Sequence, residues 1–133
     1  MVEVQPPSPG LTQAESLAQL ERRLPAFALF SRTAATSSRT YVGALNTRTG
    51  QTALASSGGM PGCAAYCAEG NALLALGGNP SEVLFTGAVT VRRSAQGALE
   101  AVPMPVCVKC QLDYPRSNFL PGARGAPGGS WGD

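Results

Sequence analysis

The sequence contains no histidine. That absence excludes Ser-His-Asp and Cys-His nucleophile systems and every metal site that needs imidazole. A transition metal here must take its ligands from cysteine, aspartate or glutamate. Charge is scarce as well: 14% of the 133 residues are charged, and ten basic against eight acidic side chains leave a net charge of +2. So mild a bias excludes a solvated charged tail and permits a nucleic-acid partner without arguing for one. No apolar run approaches the roughly 18 residues of a membrane span, so no membrane partner is expected. No basic segment precedes an apolar stretch at the start, so no signal peptide is read there. Apolar side chains are plentiful, at 44%, enough for one core in a domain of ordinary size.

Residues 5–10, Gln-Pro-Pro-Ser-Pro-Gly, exclude regular structure. Residues 1–10 are therefore expected as a linker or disordered start and 11–133 as a single domain. Within it, 116–133 is expected to be a glycine-rich tail with a frayed end. Thr12, with Glu15 three residues on, reads as a capping box. Leu17, Leu20 and Leu24 then share one helix face, and Pro25 is expected to stop that helix. Phe27 to Phe30 reads as a further helical turn. Tyr41–Leu45 and Gln51–Ser56 flank a glycine-containing turn and predict a hairpin. Cys63–Leu76 predicts a helix, regular from near Tyr66 or Cys67 and ended by Gly77-Gly78. A strand over Glu82–Arg93, a short return over Leu99–Val102 and a helix over Val106–Tyr114 complete the order. A short strand or loop is expected near Asn118–Leu120. The pattern predicts an α/β fold: a three-layer α-β-α arrangement, a mixed sheet with helices on both faces.

Four cysteines remain to be placed: Cys63, Cys67, Cys107 and Cys110. Residues three apart share a helix face, so Cys107 and Cys110 can bind one ion. Cys67 and Glu69, two apart, reach one centre only from the first turn of a helix, where the glycines and Pro61 upstream place them. Helix N-termini favour thiolates. Three thiolates on one Zn²⁺ leave a fourth position for water, the pattern of a catalytic site, with Glu69 as proton carrier beside it.

The segment Gly62-Cys63-Ala64-Ala65-Tyr66-Cys67-Ala68-Glu69-Gly70-Asn71-Ala72-Leu73, followed by Pro105-Val106-Cys107-Val108-Lys109-Cys110, resembles the zinc-dependent cytidine deaminase superfamily. It looks most like the YwqJ-type deaminases, C-terminal toxin domains of bacterial polymorphic toxins. The resemblance covers roughly Tyr41 to Tyr114. It departs in having Cys67 where histidine is more usual, and one extra residue between Pro105 and Cys107. It implies a deaminase-like fold, one zinc per chain on Cys67, Cys107 and Cys110, and Glu69 as a general acid/base that is not a ligand. It further implies a secreted bacterial effector, exported by modules outside this chain and acting on nucleic acid or nucleotide in the target-cell cytoplasm. A cognate immunity protein and a monomeric state go with that reading.

Blander readings stand beside these. The cysteines could form two disulfides, or a structural four-cysteine zinc site that includes Cys63. Cys63 could equally be a small buried residue. Asn46, Tyr66 and Asn71 are candidate substrate-binding residues, yet turn chemistry, packing and surface polarity would explain each. Arg22-Arg23 and Arg92-Arg93 could contact phosphate or form solvated faces. Trp131 is either a late packing anchor or part of a disordered end. The toxin-type resemblance, together with nine arginines against one lysine, implies cytosine in single-stranded or flipped nucleic acid as substrate. A free nucleoside deaminase and a non-catalytic zinc-stabilised binding module are the alternatives.

Overall fold

The computed structural model describes residues 2–31, 39–57, 67–121 and 123–132. The chain runs β1 (Val2–Gln5), α1 (Gln13–Ser31), β2 (Thr40–Asn46), β3 (Thr52–Ser56), α2 (Ala68–Ala75), β4 (Val83–Phe85), β5 (Ala88–Arg93), β6 (Leu99–Met104) and α3 (Val108–Asp113). The strands form one six-stranded sheet in the order β1-β3-β2-β5-β6, with β4 also on β2. Every pairing between these strands is antiparallel. Parallel character enters through the isolated bridges Phe85–Phe119 and Val106–Gly125.

Alternation along the central strands divides the core in two, because successive side chains leave opposite faces. Val42 and Ala44 of β2, with Ala53 and Ala55 of β3, face α2 and α3 and join Ala68, Ala72, Leu73, Phe85, Val106 and Cys110. Tyr41 and Leu45, with Leu54, face α1 and meet Leu17, Leu20, Leu24, Phe27 and Ala28. Helices thus cover both faces of the sheet, an α/β architecture.

Several elements depart from the expectation. Residues 2–5 are not linker: Val2 to Gln5 pair with Ala55 to Thr52 of β3, and Arg23 of α1 forms an ion pair with Glu3. The capping box holds, since Thr12 N–H donates to Glu15 (3.0 Å) and Glu15 N–H to the Thr12 hydroxyl (3.1 Å). Pro25 does not end α1, which continues to Ser31. The lost backbone hydrogen bond lies on the exposed side, while Phe27 and Ala28 beyond it stay buried; Phe27 packs edge-on against Tyr41, ring centroids 6.1 Å apart. Burial beyond the proline outweighs the missing bond. Pro25 is exposed, so Pro25→Ala is expected to stabilise the protein by about 1–2 kcal/mol, through a restored i→i−4 bond. Thermal unfolding would register this as a rise of a few degrees; an unchanged or lower midpoint would contradict it.

The stretch read as one strand over Glu82–Arg93 is two. β4 pairs Ala44–Asn46 with Phe85–Val83, and β5 pairs Thr40–Tyr41 with Thr90–Val89. Between these registers Val42 and Gly43 oppose Thr86, Gly87 and Ala88, one residue more, which is a β-bulge. Thr86 fills it: its N–H donates to the Gly43 carbonyl (2.8 Å) and its hydroxyl accepts from Gly43 N–H (3.0 Å).

The described part of the tail does not fray. Gln111 of α3 is buried, and its amide donates to the carbonyls of Val106 (2.9 Å) and Ala126 (3.1 Å). Its amide oxygen accepts from Trp131 N–H at 3.0 Å. The tail approaches so closely that a Cβ on Gly125 or Gly129 would lie 2.6 or 2.1 Å from the nearest atom of the Gln111 side chain. Trp131 packs on Phe119 (5.1 Å) under the Arg116 guanidinium (5.0 Å), so it is an anchor.

Candidate metal centre

Two helix starts meet on the α2/α3 face of the sheet. Cys67 is the extended residue before α2 (φ −69°, ψ 159°). Cys107 holds the matching position before α3 (φ −66°, ψ 158°), where its sulfur accepts the Cys110 N–H at 3.4 Å. Ala68 and Ala72 bury α2 against the sheet. Its far end closes on glycine: Gly77 and Gly78 take φ of 106° and 81°, and their N–H groups donate to the Leu74 and Leu73 carbonyls at 3.3 and 2.9 Å. This is the Schellman pairing. α2 thus lies on β2 and β3, and its start meets α3 where the Cys67 and Cys110 sulfurs touch.

Cys67 is half-buried, Cys110 buried and Cys107 exposed, and all three are free thiols. The sulfurs of Cys67 and Cys110 are 3.2 Å apart. One ligand atom from each of Cys67, Glu69 and Cys110 lies within 4.8 Å of the others, a group that could hold a metal ion. Cys107 is outside that group, although its sulfur interacts with the Cys110 thiol. In a tetrahedral zinc site with Zn–S bonds of about 2.3 Å the sulfurs stand about 3.8 Å apart. The observed pair is about half an ångström tighter, and the donor set, thiols with a carboxylate, suits zinc.

The local electrostatics follow from Cys110 at the centre. Its sulfur lies in hydrogen-bonding contact with both neighbours, an interaction that brings Cys67 and Cys107 each down to about 6 and pushes Cys110 itself up, with burial adding to the rise. Glu69 is 3% exposed, and burial pushes its carboxyl up to about 7, the nearby Cys67 and Cys107 sulfurs adding to the shift. Lys109 lies close enough to Cys67 and Cys110 to interact with their charge, and is ion-paired with Asp113. Tyr114, whose ring packs 5.2 Å from Phe85, is raised to about 12 by burial first and by the Cys67 and Cys110 sulfurs next.

Compared with family models, curated proteins and solved structures, the chain matches none.

The other sequence candidates fall elsewhere. Asn46 is buried, but its amide donates to the Leu76 carbonyl (2.8 Å) and Glu82 (3.3 Å), and accepts from the Arg48 and Thr49 N–H groups. Leu76 caps the C-terminal end of α2, about 13 Å along the helix from Cys67, so Asn46 serves the turn and is not brought to the cluster. Asn71, one turn beyond Cys67, donates to the Ser56 carbonyl (2.8 Å) and ties α2 to β3. Cys63 and Tyr66 lie outside the described residues. Arg92 pairs with Glu100 across β5 and β6 (3.4 Å) and Arg93 donates to the Gly97 carbonyl (2.7 Å), so this pair braces a hairpin. Two residues escaped the sequence reading. Gln111 locks the segment entering Cys107, and Tyr114 walls the cluster. Their positions one and four residues after Cys110 are the only sequence signal they offer.

If Cys67, Cys107 and Cys110 are the ligands, the metal-reconstituted protein is expected to hold one zinc per chain, and Cys63→Ser to hold the same. Elemental analysis in reducing buffer measures both. Loss of metal on Cys63→Ser would point instead to a structural four-cysteine site.

Proposed function

We propose that this chain is a zinc-dependent deaminase that hydrolyses the exocyclic amine of cytosine in single-stranded or flipped nucleic acid. Cys67, Cys107 and Cys110 hold the metal and Glu69 carries the protons. The observation behind this reading is the placement of the Glu69 carboxyl: almost fully buried, in the first turn of α2, in one group with two thiols. A buried carboxyl costs free energy to keep, and this one forms no ion pair among the described residues. Proton transfer at the cluster gives it a use.

Zinc, when bound, acidifies a water and so supplies a nucleophile at neutral pH. The rest falls to the chain. Glu69 takes a proton from that water as its oxygen bonds to C4 of the base. Glu69 passes that proton to the ring nitrogen, then carries the second proton from the new C4 hydroxyl to the amine as the C4–N bond breaks, so that cytosine and water give uracil and ammonia. Cys110, buried beneath, holds Cys67 and Cys107 to either side.

The order hairpin, α2, strand, α3 follows that expected of a deaminase-like fold and supports the same reading. A toxin role, with a cognate immunity protein and action in a target cell after export, follows from the motif resemblance and belongs to the proposal. Direct competition tests the substrate. Zinc-loaded protein given cytidine and a mixed-sequence oligonucleotide together is expected to turn over the oligonucleotide faster. Faster turnover of cytidine would overturn that choice in favour of a nucleoside deaminase. A folded, zinc-loaded protein that deaminates neither would favour the binding-module reading.

A further inference from the structure

The three thiols support a second chemistry that needs no metal. Cys67 and Cys110 are far apart in the chain, yet their sulfurs are 3.2 Å apart and both thiols are free. A disulfide needs about 2.05 Å between sulfurs, so a side-chain movement of little more than an ångström would close one. Cys67 is half-buried and open to a small oxidant, whereas Cys110 is fully buried and has Cys67 as a direct neighbour. Cys107 is exposed, and its sulfur is occupied with the Cys110 N–H.

We propose that the metal-free protein carries a peroxide-reactive dithiol, Cys67 with Cys110, whose disulfide staples α2 to α3 across the metal centre. The Cys67 thiolate attacks one oxygen of hydrogen peroxide. The O–O bond breaks, the Cys67 sulfur becomes a sulfenic acid, and hydroxide leaves and takes a proton as water. The Cys110 sulfur then attacks the Cys67 sulfur. The S–S bond forms, the S–O bond breaks, and the hydroxyl departs with the Cys110 proton as a second water. Two thiols are oxidised and one peroxide is reduced to two waters. The cross-link uses two of the proposed ligands, so the oxidised protein cannot complete the metal site. That consequence rests on the zinc reading; the cross-link itself does not.

Peptide mapping of the metal-free, wild-type protein after treatment with hydrogen peroxide provides the test. Trypsin cuts after Lys109 and separates Cys107 from Cys110; chymotrypsin cuts after Tyr66 and separates Cys63 from Cys67. The expected product is a protein about 2 Da lighter in which the peptide beginning at Cys67 is joined to the one beginning at Cys110, with release by dithiothreitol. A Cys107–Cys110 link, a link to Cys63, or over-oxidation of Cys67 without any link would overturn the proposal. In parallel, reduced and oxidised samples are titrated with zinc. At least tenfold less uptake after oxidation, restored by dithiothreitol, is the expected result. Equal uptake by both would overturn the exclusion of metal. Failure of the reduced protein to take zinc would sink the metal reading, with the peptide map still deciding the cross-link.

Discussion

Replacing Glu69 with glutamine is expected to leave the protein folded and zinc-loaded and to slow deamination by roughly 10²–10⁴-fold, about 3–5 kcal/mol in barrier height. Glutamine fills the same buried volume and keeps an oxygen for the Cys110 thiol, which interacts with the Glu69 carboxyl. It cannot take or return a proton. Alanine would be the poorer choice, since at 3% exposure it would open a cavity and mix a packing loss with the chemical one. Three measurements separate the outcomes: zinc per chain, the circular dichroism spectrum and the single-turnover rate. Metal lost with the fold intact would make Glu69 a ligand in the group it forms with Cys67 and Cys110. A rate close to that of the unchanged protein would end its role as proton carrier.

Gln111→Ala is expected to destabilise the protein by about 2–4 kcal/mol, through three lost hydrogen bonds and the space the amide fills. Urea unfolding would read it. The effect should extend to the metal. The Val106 carbonyl accepts from Gln111 and from Ala126 N–H, and Val106 N–H donates to Arg124, the latter two bonds both 2.8 Å. These bonds fix the residue that leads into Cys107. Groups that orient a ligand from outside the coordination shell typically contribute 10–100-fold in metal affinity, so zinc affinity is expected to fall by about that factor. Gln111→Glu separates positioning from bulk. It keeps the volume and an oxygen for Trp131 N–H but removes both donated bonds. Zinc affinity as high in Gln111→Ala as in the unchanged protein would make the clip purely a matter of stability.

The parts of this structure that were legible in the sequence are those set by short-range rules. The Thr12–Glu15 box, the Gly77-Gly78 stop and the first-turn placement of Cys67 and Glu69 each depend on residues within a few positions of one another, and each is present. What escaped depends on burial supplied from far along the chain. Pro25 looks like a stop until the sheet beneath Phe27 and Ala28 is known. Residues 2–5 look like a linker until β3 offers them an edge. The tail has no apolar period because its anchor is one polar side chain, Gln111, and glycines have no side chain to announce that something packs against them. Spacing paired Cys107 with Cys110 and Cys67 with Glu69, whereas the group of Cys67, Glu69 and Cys110 with Cys107 outside it, and the attachment of Asn46 to the opposite end of α2, depend on how the helices pack.

The bulge at Thr86–Gly87 makes the length of this strand a discrete quantity. Upstream of it the odd-numbered residues Val83 and Phe85 point to the α2/α3 side; downstream the odd-numbered Val91, and Val89 with it, point to α1. A single apolar alternation therefore feeds two different cores, and the extra residue is the point where it changes sides. Deleting Gly87 alone would restore an unbroken ladder with Phe85 still opposite Ala44 and Val89 still opposite Tyr41, so Val89 and Val91 would keep facing α1. A change of one residue in the length of this strand is therefore expected at the bulge itself or beyond the Ser94–Gly97 turn, because within β4 or β5 it would turn every side chain beyond it to the wrong face.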